Sequence, residues 1–348
     1  MAAAARSQVL LRQRAIAKFG PDAAAMFFTP AGLEQATRPA VAALRAQRYA
    51  AAGADRVLDL GCGIGSDALA LARAGLHVHA VEQDPVTAAV CRLNAAVLGL
   101  AYRIGVWVAD ATTMRLAGWP AAFCDPGRRR DGRRVFDPSA YSPPWSFLLT
   151  VAEAVPLTGL KVAPGIQHAL VPDGAEAQWV SDGGDVTEAA LWFGRLSTGV
   201  PRRATLLPGG ATLTDSGGGP PPVGPVGAWL YEPDGAVIRA GLVGEVVGLT
   251  CGRLLDSAIA YLTSDTLVPT PYATAYSVVE VLPFGLKRLR AALRQRNVGV
   301  VTIKKRGTAV EPEQLRRAVR LSGTEHLVVV LTRIAGAQSV LLCHPSQR

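Results

Sequence analysis

Arg56–Asp84 reads RVLDLGCGIGSDALALARAGLHVHAVEQD, and this stretch decides the fold. Val57, Leu58 and Leu60 form a short apolar run, as a strand buried on both faces requires. Gly61, Gly63 and Gly65 follow as a turn in which the backbone can come close to a ligand. Ser66 and Asp67 stand where a helix is capped, and the apolar positions of the next segment fit one helical face. A second strand, His77 to Val81, ends in Glu82, then Gln83 and Asp84. An acid at that point can accept two hydrogen bonds from a ribose 2′,3′-diol.

Two ligands fit such a unit. A dinucleotide site needs G-x-G-x-x-G, to which Gly61, Gly63 and Ser66 come close. The glycines instead run G-x-G-x-G, and Asp59 precedes the first by two residues. The segment D-L-G-C-G-I-G resembles motif I of class I S-adenosylmethionine (SAM) methyltransferases. In that family the turn packs against the amino-acid part of SAM, and the acid after the second strand holds the ribose. The resemblance implies SAM as cofactor, with Asp59, Gly61, Gly63, Gly65 and Glu82 in its site; NAD is the alternative.

At 348 residues and 49% hydrophobic content the chain can bury ample core in two or three domains. No run of 18 apolar residues is free of charges, Gly or Pro, so no membrane partner is expected. The N-terminal MAAAARSQVLLRQRAIAKFG reads as an amphipathic helix, since Arg12 and Arg14 interrupt any signal-peptide core. Five scattered cysteines without C-x-x-C indicate neither disulfides nor zinc, which fits a reducing cytoplasm. No H-x-x-H or carboxylate cluster calls for a metal, and all five histidines read as structural.

The net charge of +9 is unevenly placed. From Lys287 onward there are 13 Lys/Arg against 3 Asp/Glu, whereas the preceding 286 residues hold 23 against 24. A neutral body with a basic appendage points to a polyanionic partner, RNA ahead of membrane, against the alternative of a solvated Arg-rich surface.

Residues 1–50 read as a helical layer, broken at Phe27-Phe28-Thr29-Pro30, where Thr29 caps and Pro30 opens a helix. This stretch is similar to the F-[ST]-x-T-P-E segment preceding motif I in trimethylguanosine synthases, which implies that Thr29 helps bind the cofactor. A strand from Tyr102 to Val108 ends at Asp110. The methyltransferase resemblance implies a contact from Asp110 to the adenine amine; the alternative is an Asp capping the next turn.

Phe123-Cys124-Asp125-Pro126-Gly127-Arg128-Arg129 falls where the fourth parallel strand ends, at the sheet edge that carries sites. It is similar to motif IV, [DN]-P-P-[YFW], of amino-group methyltransferases, whose acid and proline carbonyl hold the target amine. The resemblance gives Asp125 and Pro126 that role. Gly127 replaces the second proline, and Arg128 replaces the stacking aromatic. Arg128 and Arg129 can bind a phosphate or lie along a nucleotide plane. Lys161–Gly165 reads as the fifth strand and its turn, and Gln178–Ser181 with Glu188–Phe193 as an antiparallel pair ending the sheet.

Residues 201–226, rich in Gly, Pro and Thr, read as a linker between a methyltransferase domain (51–200) and a connecting α/β segment (227–267). The tail, 268–348, alternates strand, helix, strand, helix and hairpin, which suits a small ferredoxin-like layer. VVTIKKRGTAVEPEQLRRAV resembles the THUMP-like domain at the C-terminus of some bacterial class I methyltransferases. True THUMP domains bind RNA, so the resemblance implies Lys304, Lys305 and Arg306 as phosphate contacts; salt-bridged surface is the alternative. The fold class expected is therefore α/β, a Rossmann-like methyltransferase sheet with an N-terminal helical layer and a C-terminal THUMP-like domain. Three functions stay open: methylation of an amino group on a tRNA or rRNA base, methylation of a protein or small molecule, or binding of SAM and RNA without catalysis.

Overall fold

A computed structural model describes residues 2–127, 129–130, 133–134 and 141–345. The chain divides into two compact units, 1–203 with 207–210, and 204–206 with 211–348.

In the first unit a helical layer, α1 (Ala2–Phe19), α2 (Pro30–Gln35) and α3 (Pro39–Ala51), precedes β1 (Arg56–Leu60). Then come α4 (Ser66–Arg73), β2 (His77–Glu82), α5 (Pro85–Val97), β3 (Ile104–Val108) and β4 (Ala121–Cys124). After the two-residue strands β5 (Arg129–Arg130) and β6 (Arg133–Arg134) follow α6 (Trp145–Ala154), β7 (Leu157–Val162), β8 (Glu176–Asp182) and β9 (Asp185–Trp192). The sheet runs β8-β9-β7-β4-β1-β2-β3. The strands from β7 to β3 are parallel, and β9 is antiparallel to both β7 and β8. This is the doubly wound sheet with an antiparallel end that the sequence anticipates.

Covering both faces leaves β1, β4 and β7 without polar outlets: Val57, Leu58, Leu60 and Ala121–Cys124 are fully buried. The helical layer is tied to the sheet by polar contacts. Buried Asn94 of α5 accepts from the Phe27 N–H (2.7 Å) and donates to the Phe27 and Ile64 carbonyls. Gln8 pairs with both backbone groups of Phe28. Deeper in, the Arg45 guanidinium of α3 bonds Asp67, in the first turn of α4, and Glu188 of β9. All three side chains are buried, and Arg45 also lies over the Phe123 ring.

The second unit begins inside β10 (Arg202–Leu207) and continues through β11 (Ala211–Thr214), β12 (Trp229–Pro233), α7 (Gly235–Arg239) and α8 (Val243–Leu249). Next are β13 (Arg253–Asp256), β14 (Ile259–Ser264), β15 (Ala273–Pro283), α9 (Leu286–Gln295), β16 (Val298–Lys305), α10 (Pro312–Val319), β17 (Glu325–Ile334) and β18 (Ala337–Cys343). Seven of these strands form one sheet, β13-β14-β12-β15-β18-β17-β16. Leu327, Val329 and Leu331 of β17 face one core, shared with Leu289, Leu293, Leu315 and Val319 of the helices. Val328 and Val330 face another, with Tyr261 and Tyr276.

Two expectations change here. The stretch 201–226 is not wholly linker: RRATLL and ATLT are strands β10 and β11 around a Pro208–Gly210 turn, and only the region after Thr214 lacks regular structure. The Gly and Pro that mark the turn mask the short β-branched runs beside it. The tail's elements appear in the expected order, but β-α-β-α-β-β is not the β-α-β-β-α-β of a ferredoxin-like layer. Its β16–β17 pair is parallel across α10, and β12–β14 extend the same sheet.

Arg45→Leu leaves Asp67 and Glu188 buried without their counter-ion. Urea unfolding of this variant is expected to show a loss of about 3–5 kcal/mol, and an unchanged midpoint would contradict a supporting role for the ion cluster.

Candidate functional site

The glycine turn is held to β2, since the Gly61 and Cys62 N–H groups both donate to the Val81 carbonyl. The three glycines do different work. Gly61 (φ +89°) sits where β1 and β4 end together, and a Cβ there would lie 2.7 Å from the Asp125 carbonyl oxygen. Gly63 (φ +57°) has no atom within 4 Å of where its Cβ would be; that space belongs to an open cleft of about 1430 Å³. Gly65 (φ +94°) does not line the cleft. A Cβ on it would meet Cys91 Sγ at 2.8 Å, so it serves the close approach of α4 to α5.

Thr29, Gly61, Gly63, Glu82, Asp110, Asp125 and Pro126 all line this one cleft. Thr29 caps α2 through the Gly32 N–H, and Gly32 packs against Ile64 of the turn. The Glu82 carboxylate is oriented from both sides, by the Gly63 N–H (3.1 Å) and the Asp84 N–H (3.0 Å). Each oxygen keeps acceptor capacity toward the cleft. Asp110 caps the turn after β3, accepting from the N–H and hydroxyl of Thr112, which holds its carboxyl below the usual range.

Asp59 lies behind the turn, fully buried, and neither of its carboxylate oxygens has a hydrogen-bond partner among the described residues. Burial first, and the Asp125 charge second, push its carboxyl up to about 7. A buried acid left unsatisfied is costly unless a ligand completes it.

At the other end, Asp125 Oδ2 accepts from Lys161 Nζ at 2.7 Å. Lys161, almost fully buried, also donates to Thr37 Oγ1, which donates to Asp67. The β4 strand end is thus wired to the Arg45 cluster. Lys18 of α1 enters the cleft as well, its Nζ on the Leu33 carbonyl; burial, with Lys161 and Arg38 nearby, lowers its pKa to about 8. Nothing in the sequence marks Thr37 or Lys18 for this site, and Lys161 reads there as the end of a strand. The one local signal is a charged lysine in the strand LTGLKV, which otherwise holds no charge.

Arg128 and the side chain of Arg129 lie outside the described residues. In the second unit Lys304 pairs with Glu232 (2.9 Å), Lys305 pairs with Glu311 (2.7 Å), and the Arg306 guanidinium lies over Tyr261. These three expected phosphate contacts are therefore engaged within their own unit. Among the histidines, His79 stacks on Trp107 with ring centroids 3.3 Å apart, a packing role. No group of three His, Cys, Asp or Glu among the described residues could hold a metal ion, and no described helix is long and apolar enough to cross a membrane.

Comparison with known proteins agrees with this fold. Residues 57–124 match the model of a methyltransferase domain, and residues 273–345 match a THUMP domain-like model. An uncharacterized S-adenosylmethionine-dependent methyltransferase of Mycobacterium tuberculosis H37Rv is 36% identical over 97% of this chain and 96% of its own. The chain belongs to the S-adenosylmethionine-dependent methyltransferases. A crystal structure from Porphyromonas gingivalis W83, provisionally assigned as a methyltransferase, shares the fold with a TM-score of 0.81 at 19% identity, over 99% of this chain and 90% of that one. A protein-L-isoaspartate O-methyltransferase of Methylorubrum populi is 35% identical over only 30% of this chain and 48% of its own length.

The site of this methyltransferase fits SAM on its own chemistry. Asp59 and Glu82 form no ion pair among the described residues, so the turn carries the uncompensated Glu82 carboxylate, joined by that of Asp59 once it ionises near 7. That suits a ligand bearing an ammonium and a sulfonium, and it opposes the pyrophosphate of NAD. Glu82 lines the cleft with acceptor capacity that suits a ribose, Gly63 leaves the approach open, and Asp59, buried behind the turn and outside the cleft lining, would act on an ammonium through the turn.

Two outcomes follow for Asp59. In the free protein its carboxyl stays protonated up to about 7, whereas in the unfolded chain it ionises near its ordinary value of 3.8. Stability therefore falls as pH rises between those values. Asp59→Asn without ligand is expected to melt a few degrees above wild type at pH 8, the gap closing toward pH 4. In calorimetric titration the same variant should bind SAM at least tenfold more weakly, and wild-type affinity should rise with pH through 7.

Proposed function

We propose that this methyltransferase acts on an amino group of an RNA base, in tRNA or rRNA, with RNA held by the basic C-terminal unit. The observation that carries the reading is the charge distribution. The last 62 residues, most of them within the segment that matches a THUMP domain-like model, hold 13 Lys/Arg against 3 Asp/Glu, whereas the preceding 286 residues hold 23 against 24. A cytoplasmic location accords with free cysteines and an RNA substrate.

SAM supplies an electrophilic methyl group, and the chain's own task is to position the acceptor in line with it. Asp125 is the group best suited to accept an amine N–H at the strand end, with the Pro126 carbonyl beside it. Lys161 keeps the Asp125 carboxylate oriented through Oδ2, and the other oxygen has no partner among the described residues. Arg128 and Arg129 follow directly in sequence and are assigned to the nucleotide phosphate or plane.

The replaced motif IV, with Gly127 and Arg128 where proline and an aromatic are expected, supports a second reading, a protein or small-molecule acceptor. Transfer of tritium from methyl-labelled SAM into total RNA, compared with protein and metabolite fractions, separates the two. Asp125→Ala is expected to cut turnover about 10²-fold while leaving SAM affinity within a few fold. Undiminished turnover would remove Asp125 from the acceptor site.

A further inference from the structure

Thirteen basic residues lie beyond residue 286, and eleven of them sort by occupation. Lys304, Lys305 and Arg306 are engaged internally, as above. Arg296 pairs with Glu280, Arg316 pairs with Glu313, and Arg290 Nε donates to the Ala318 carbonyl, which fastens α9 to α10. Lys287, Arg288 and Arg294 of α9, with Arg317 and Arg320 at the end of α10, are exposed and form no ion pair among the described residues. Both helices bury their apolar sides in one core on the sheet, so their outer sides lie together on one face of the unit.

This face is costly to leave without a partner. Lys287 and Arg288 stand in the first turn of α9, which holds no acid, and Gly285 before it offers no side-chain cap. Cations there oppose the helix dipole. Lys287 and Arg294 are two turns apart, about 10 Å, far enough to meet different phosphates of one strand. Phe284, 39% exposed, lies just before α9, three residues ahead of Lys287 in sequence, and offers a ring on which a base can stack.

Deepening the RNA reading above, on which this rests, we infer that the outer face of α9 and α10, with Phe284 at its end, is the RNA-docking surface. Lys304–Arg306 are not part of it. The basic face complements a run of closely spaced phosphates. An anionic membrane is the poorer match, because the apolar sides of both helices are committed to the core and cannot insert.

The test uses the full chain and a labelled mixed-sequence 30-nucleotide single-stranded RNA, with anisotropy measured across a salt series. One variant combines Lys287→Gln, Arg288→Gln, Arg294→Gln, Arg317→Gln and Arg320→Gln; the control combines Lys304→Gln and Lys305→Gln. The fivefold variant is expected to lose more than tenfold in affinity. Its log–log salt slope should fall by about 0.7 for each phosphate that is no longer neutralised, while its SAM affinity stays at the wild-type value. Phe284→Ala should weaken binding with the slope unchanged, and the control should bind as wild type. Undiminished RNA binding by the fivefold variant, or weakening that follows Lys304 and Lys305 instead, overturns this surface and leaves the RNA reading intact. A wild-type chain that ignores RNA, or prefers phosphatidylserine vesicles, overturns both.

Discussion

Arg45 is a guanidinium sealed inside the first unit, and the cleft is arranged around the way its charge is met. It comes from the helical layer, Asp67 from the helix after the glycine turn, and Glu188 from the antiparallel end of the sheet. Ions removed from water are stable only with close partners and satisfied hydrogen bonds. These elements therefore have little freedom to shift relative to one another. Through Thr37 and Lys161 the same cluster reaches Asp125, so the far wall of the cleft is fixed by the network that fixes the near one.

The cleft is electrostatically lopsided where the glycines are. Asp59 is buried without a partner among the described residues, and Glu82 is held by backbone N–H groups rather than by a cation. The missing Cβ at Gly63 opens the backbone to the cleft, while those missing at Gly61 and Gly65 admit other parts of the protein. A turn built this way receives a cationic ligand, and its unsatisfied acid is a free-energy cost that ligand binding offsets.

The second unit uses its charges in two ways. Around Glu232, Lys304 and Tyr276 form an internal polar cluster, with Arg306 over Tyr261 beside it. On the helical side of the sheet the apolar faces of α9 and α10 are fully employed in the core. Arg290 and Arg316 on these helices are tied down internally, whereas Lys287, Arg288, Arg294, Arg317 and Arg320 stay exposed with no ion pair among the described residues.

The sequence by itself determined the path of the chain through the first sheet. The apolar run at Val57–Leu60, the glycines with positive φ and the acid at Glu82 are relations among near neighbours, and local sterics enforce them. The alternation of the tail and the cap at Thr29 are of the same kind. Tertiary structure alone decided which residues meet across long separations: Arg45 with Glu188, Lys161 with Asp125, Gly65 with Cys91. It also decided that Lys304 and Lys305 find carboxylates within their own unit. Periodicity and turn chemistry are written over a few residues, whereas the pairing of a buried charge depends on which strand and helix the folded core brings beside it.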